Sequence, residues 1–487
     1  MDPGRISLPG AKTMKYILND DVALRSWIGV PYAFYRERDP FAHGLRQEEF
    51  ALLLSCCTVT DLPEASLTKS LLSRGLLRVA EEGEKVADWQ RHRICDNRYM
   101  PQMNLQITAR CNYNCVHCFN ATDNSPLLTE IPFERLTKLL EEAELCGIHA
   151  FTITGGEPLM HRHFLDIVKD IYARHMFLAE LNTNGFFLTR ELLTEFRSIG
   201  CRPLIKISFD GLGYHDWMRG RKGAEEDALR AVKLCTEMHF PVMVQYNVNK
   251  KNLPTLYETL KLLNSLGVEA IRLIRTSPAP RWEANAAGQT FSHEEYTELA
   301  LSVLKHYSEC DYRAELTVWQ VATLYPRDRS FSLAAVRGTA EDYRDSIPLC
   351  KGARGMIAVG ATGQVYPCLQ MSGWMDEHQV NLGNVFTDGL PAILKDSPYL
   401  SCICQTVHDR REKNSTCASC PYLKYCLGGC PALAMIDSTD GSLLAPDPGK
   451  CYFYANNCYE RFTAALSGYR NRTPLPQPLT GQYETAH

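Results

Sequence analysis

No stretch of this 487-residue chain approaches the roughly 18 consecutive apolar residues that a membrane-spanning helix needs. A transmembrane segment, and with it a membrane partner, is not expected. The opening residues, MDPGRISLPGAKTMKYILNDD, lack a basic region followed by an apolar one, so a secretory signal is not expected and the reading is cytoplasmic. Basic blocks are absent as well. The 52 Lys and Arg are interspersed with 56 Asp and Glu for a net charge of −4, which leaves no electrostatic footprint for a nucleic-acid backbone. What is left is an ordinary globular composition, 45% hydrophobic and 22% charged, long enough for two or three domains.

Cysteine is plentiful instead, with 20 in the chain. Reducing compartments keep thiols free and large cores do not need covalent staples, so clustered cysteines here point to metal rather than to disulfides. Cys56, Cys57, Cys95, Cys146, Cys201, Cys235 and Cys310 are scattered and read as small buried hydrophobes. Two other groups are regularly spaced. The first is CNYNCVHC (111–118), with Cys111, Cys115 and Cys118 directly after a strand-like run; the second runs Cys350, Cys368, Cys417, Cys420, Cys426, Cys430, Cys451. Cys402, Cys404 and Cys458 fall outside both. Three thiolates from one loop can hold three irons of a [4Fe–4S] cluster and leave the fourth iron open to a bidentate small molecule. A structural zinc site would want a fourth ligand, and His117, inside the loop, is expected to point away. On the loop alone both readings stand.

Hydrophobic periodicity divides the chain. Residues 1–98 read as short strands (14–18 and 27–36), two amphipathic helices (46–56 and 64–74) and a strand (76–80), a winged-helix-like pattern. From residue 103 strands and helices alternate: strands at 103–108, 150–154, 179–182, 204–209, 242–248 and 270–275, with helices between them. Such βα repeats make a parallel sheet closing toward a barrel, with ligands at the C-terminal ends of its strands. After about residue 310 the alternation gives way to loops and dense cysteines, a small fold organised by metal. One more helix is expected past Tyr459, and then an unstructured tail, RNRTPLPQPLTGQYETAH.

The motifs on those strand ends resemble the radical S-adenosylmethionine (radical SAM) enzymes. The cluster motif after the first strand is followed by GGEP (155–158) after the second, NTNG (182–185) after the third, SFDG (208–211) after the fourth and Asn247 at the end of the fifth. The resemblance implies that Cys111, Cys115 and Cys118 hold the catalytic [4Fe–4S] cluster, and that Gly155, Gly156, Glu157, Asn184, Ser208, Asp210 and Asn247 bind S-adenosylmethionine. Glu157 would add an anion near the methionine amino group, while Ser208 and Asp210 would hydrogen-bond its carboxylate and ribose. It further implies a 5′-deoxyadenosyl radical that takes a hydrogen atom from substrate, with a flavodoxin or ferredoxin as one-electron reductant.

The second cysteine set resembles the SPASM extension of these enzymes. By that resemblance Cys417, Cys420, Cys426 and Cys451 hold a distal auxiliary cluster and Cys350, Cys368 and Cys430 a proximal one, three Fe–S clusters in all. The chain lacks the extra cysteine that the sulfatase-maturing branch has between the first two positions, so the fourth proximal ligand is open between Cys402, Cys404, a substrate thiol and none. The fold expected is therefore α/β: a partial (β/α)6 TIM-like barrel (99–310) with an N-terminal winged-helix-like domain (1–98), a connecting segment (311–345), a C-terminal Fe–S-organised SPASM domain (346–460) and a tail (461–487). The chain resembles the peptide-modifying (RiPP) maturases. Residues 1–98 are then a candidate leader-peptide-binding domain, using a strand edge such as 27–36, with a barrel cap or dimerisation element as the alternative. The activity implied is formation of a thioether or carbon–carbon crosslink in a ribosomal peptide. A sulfatase-type maturase oxidising Cys or Ser is a second reading, and a non-catalytic Fe–S redox partner or scaffold a third. No general acid or base stands out.

Overall fold

Strands buried on both faces need apolar residues at successive positions, and six segments meet that demand. In the computed structural model, which describes residues 13–118, 129–278, 280–438 and 441–473, they are β1 (Gln102–Thr108), β2 (Ala150–Gly155), β3 (Phe177–Thr183), β4 (Leu204–Ser208), β5 (Val242–Val248) and β6 (Ala270–Arg275). Each pairs in parallel with the next in chain order. This is the partial barrel. Its helices bury one stripe each: Phe133–Cys146 turns Leu136, Leu139, Leu140 and Ala143 inward and stops at Gly147, whose φ of 81° is a left-handed cap.

Both edges of this arc are covered by segments from later in the chain. Met356–Val359 adds to β1 in parallel, carrying Val365–Tyr366 on its far side. Beyond β6 come Glu315–Val318, Ala322–Tyr325 and Ser330–Leu333, then Arg470–Asn471, giving one 12-stranded sheet. Two expectations are corrected here. The connecting segment 311–345 is not loop alone but holds three strands, because alternation in ELTV and ATLY buries every second side chain against the barrel core. The tail is ordered at its beginning, with Arg470 and Asn471 paired to Ser330 and Phe331; its later residues lie outside the described ones. The helix expected past Tyr459 is Cys458–Ala465.

Residues 13–98 form two small sheets around helices Gln47–Ser55 and Ser66–Ser73. One sheet orders Thr60–Pro63, Thr13–Leu18, Leu77–Val79; the other orders Ala42–Gly44, Val30–Arg36, Val22–Trp27, Arg93–Cys95. The expected single strand 27–36 is instead the second half of a hairpin that turns at Ile28 and Gly29. Val30–Arg36 has neighbours on both sides, so it presents no free edge along the stretch paired with Ala42–Gly44. This region has its own core, including Leu24, Phe34, Phe50 and Leu53, and is bolted to the barrel by Trp27. The indole N–H donates to the Cys146 carbonyl at 2.8 Å, and the ring covers Gly147, where an added Cβ would meet it at 2.5 Å.

Candidate functional site

The cluster loop leaves β1 and is gripped from behind by residues that follow SFDG. Asn114 N–H donates to the Arg219 carbonyl (3.2 Å) and Val116 N–H to that of Met218 (3.0 Å). Gly220 lets the two backbones touch: its φ is 61°, and a Cβ there would lie 2.3 Å from the Asn114 carbonyl oxygen. The glycines of GGEP serve a comparable approach. Gly156 N–H donates to Thr108 and Glu157 N–H to Arg110, both at 2.8 Å, and a Cβ on either glycine would come within 2.2 Å of a carbonyl oxygen in the segment entering the cluster loop.

Glu157 is fully buried and spends its carboxylate on the chain: it accepts from the Thr183 hydroxyl (2.8 Å), Asn184 N–H (2.8 Å) and Leu159 N–H (3.2 Å). Asn184 links it onward, its side-chain amide donating to Asn112 in the Cys111–Cys118 loop at 2.8 Å. Burial pushes the Glu157 carboxyl up to about 7 against these three donors. The folded value lies above the ordinary 4.5, so the associated stability is full below pH about 4.5 and is lost as pH rises through about 7. Glu157→Gln, which cannot ionise, is expected to lack that loss, which is on the order of 3 kcal/mol. Denaturant midpoints of both proteins without ligand at pH about 4 and about 8.5 check this.

Asp210 is the hub of a second buried network. One carboxylate oxygen accepts Asn247 N–H (2.9 Å), and the other faces the Arg219 guanidinium at 2.8 Å. Burial favours the neutral acid, but Arg219 and His215 outweigh it and hold Asp210 well below the usual carboxylate range. Asp210 is fully buried, and its carboxylate is turned to Asn247 and Arg219. Ser208 is half-buried at the end of β4. His117 is buried with its Nε2 3.2 Å from the Asn247 amide, and burial lowers it to about 4. Arg219, which the sequence reading missed, also reaches Cys115 Sγ at 3.7 Å. The HDWMRG stretch (215–220), so soon after SFDG, was the available signal.

Within the second cysteine set, Cys426 lies within electrostatic reach of Cys420, Cys417 and Cys451, and Cys368 within reach of Cys430 and Cys350. All 20 cysteines are free, and among the described residues no three Cys, His, Asp or Glu side chains close around a single ion. Arg410 tests what the distal group fits. It is fully buried beside Cys417 and Cys426 and bonds the carbonyls of Gly428 and Leu443; among the described residues it forms no ion pair, and Asp447 and these two thiols are the negative groups within electrostatic reach. A buried cation is costly unless opposed by negative charge. Cys417 and Cys426 as thiolate ligands of an anionic iron–sulfur cluster would add to the charge that Asp447 supplies.

Comparison with known proteins agrees with this geometry. Residues 105–263 match the Radical SAM superfamily and residues 350–421 the SPASM iron-sulfur cluster-binding domain. The chain carries a radical SAM domain and a SPASM domain. This radical SAM enzyme therefore uses S-adenosylmethionine and iron–sulfur chemistry. It is similar to an AdoMet-dependent heme synthase of Methanosarcina barkeri, 25% identical over 346 residues, 70% of this chain and 94% of that protein. It is also similar to the antilisterial bacteriocin subtilosin biosynthesis protein AlbA of Bacillus subtilis, 23% identical over 331 residues, 67% of this chain and 66% of that protein. Among solved structures, Streptococcus suis SuiB bound to precursor peptide SuiA shares the fold at a TM-score of 0.61 and 14% identity, over 88% of this chain and 98% of that one.

Proposed function

We propose that this radical SAM enzyme modifies a ribosomal peptide, installing a side-chain thioether or carbon–carbon crosslink. The observation that carries the reading is the folded region 13–98: the likeness to SuiB spans 88% of the chain, against 70% for the heme synthase. A small domain with its own core, docked on the barrel, is the part that a peptide leader needs and that hydrogen-atom abstraction does not. Among the described residues its two sheets leave four edges unpaired, and of these Arg93–Cys95 carries the most exposed large apolar side chain, Ile94 at 73%. Addition of an extended leader segment to that edge would gain backbone hydrogen bonds and cover Ile94.

Cys111, Cys115 and Cys118 hold the catalytic cluster in this reading, and Cys417, Cys420, Cys426 and Cys451 the distal one, with Cys350, Cys368 and Cys430 in a third. Bound at the strand ends, the cluster and S-adenosylmethionine supply a 5′-deoxyadenosyl radical for hydrogen abstraction. The chain's own part is placement. Glu157 sets Asn184, Asp210 sets Asn247, and Ser208 and the glycine-built loops of 155–156 complete the rim. No helix among the described residues is long and apolar enough to cross a membrane, in keeping with a cytoplasmic enzyme served by a flavodoxin or ferredoxin.

The test is hydrogen exchange of the reconstituted enzyme with and without a precursor peptide that it modifies, with product mass recorded in parallel. A crosslinked product with two hydrogens lost, and protection at residues 93–95, are expected. Turnover of a porphyrin and no peptide would move the protein to the heme synthase side; protection elsewhere in 13–98 would relocate the edge.

A further inference from the structure

Seven SPASM positions account for seven thiols, and the proximal group, on the reading just given, has only three. Its surroundings decide between the two leftover cysteines. Residues 347–349 run antiparallel to 405–407: Pro348 faces Thr406, Leu349 N–H donates to Gln405 (3.0 Å), and Val407 N–H donates to Ile347 (2.9 Å). Just past the last of these bonds, one residue on along the first segment and one back along the second, stand Cys350 and Cys404, the latter in the αR conformation that closes helix Pro398–Ile403, so both cysteines sit at the same end of the paired stretch. Arg337 draws in the third member, donating to the carbonyls of Leu349 (2.8 Å) and Gly429, the residues immediately before Cys350 and Cys430. The Cys430 N–H is fixed in turn by Asp447 at 2.8 Å.

Cys402 stands differently. It lies on helix Pro398–Ile403, and Cys404 caps that helix, its N–H bonded to Leu400 at 2.9 Å. At about 100° per residue, positions two apart point to nearly opposite sides. Tyr399, fully buried on the same helix, lies within electrostatic reach of Cys368, Cys350 and both candidates, so it fixes the locality without choosing between them.

We propose that Cys404 is the fourth thiolate of the proximal auxiliary site, beside Cys350, Cys368 and Cys430. That site then holds an iron–sulfur cluster closed to exogenous ligands. It can accept or pass an electron, and it offers no iron to a substrate thiol.

The experiment uses full-length protein reconstituted anaerobically, with Cys111, Cys115 and Cys118 replaced so that only auxiliary iron is counted. In that background Cys404→Ser is expected to change the low-temperature EPR spectrum of the reduced protein and to lose up to half of the iron, while Cys402→Ser leaves both unchanged. Adding a small thiol such as β-mercaptoethanol should perturb the Cys404→Ser spectrum and not that of the Cys404-containing parent. An unaltered spectrum in Cys404→Ser, an effect confined to Cys402→Ser, or a thiol-induced shift in the parent would each overturn the assignment. Cys350→Ser is the control for the reading beneath it: unchanged iron there would remove the proximal site itself, whatever Cys404 does.

Discussion

Replacing Cys111, Cys115 and Cys118 together by alanine is expected to abolish 5′-deoxyadenosine formation while leaving the auxiliary iron in place. Reconstituted wild-type protein should carry about twelve irons if all three clusters are [4Fe–4S], and the triple variant about four fewer. The loss is confined because the two sets of thiols share no ligand: the first loop is supported by residues 218–220 and 155–157, the second by Arg337, Arg410 and Asp447. Residual S-adenosylmethionine cleavage in the triple variant would refute the catalytic assignment. A metal content dominated by zinc would overturn both cysteine readings.

Trp27→Ala should be the most destabilising substitution in the N-terminal region, at about 3–5 kcal/mol for the lost ring, cavity and hydrogen bond. That is a large part of a typical domain's 5–15 kcal/mol. The ring is almost fully buried between Gly147, Cys95 and Tyr99 and donates to the last carbonyl of the helix that follows the cluster loop. Loss of the anchor loosens the domain from the barrel, so modification of a leader-bearing peptide should fall further than slow, uncoupled S-adenosylmethionine cleavage. Thermal denaturation together with both assays measures the difference. An equal fall in both activities would make the region a structural brace rather than a peptide-binding one.

The barrel was readable because each strand is short and apolar and the first five carry a motif rich in glycine or asparagine at their ends, and all six were placed to within a few residues. The cysteine spacings carried the metal reading because ligand geometry needs those intervals. What escaped was whatever depends on residues far apart in sequence. Nothing local in ELTV or ATLY says that it extends the barrel sheet, since a short alternating run pairs equally well anywhere. Nothing in SFDG tells whether Asp210 faces a ligand or Arg219, because its burial is decided by a helix that follows it. Cys404 could be recognised as spare from the sequence, but its place at the same end of the 347–349 and 405–407 pairing as Cys350 is visible only in the structure.

The pairing of Met356–Val359 with β1 has a consequence for synthesis. The strand that launches the cluster loop is made first among the barrel strands, yet its outer neighbour emerges about 250 residues later. At ribosomal speeds of roughly 5–20 residues per second, that interval is on the order of ten to fifty seconds. Throughout it, a bare parallel edge and three thiols stand side by side on the nascent chain, so the timing of iron delivery relative to release from the ribosome decides whether the first loop is loaded on a finished sheet or a half-built one.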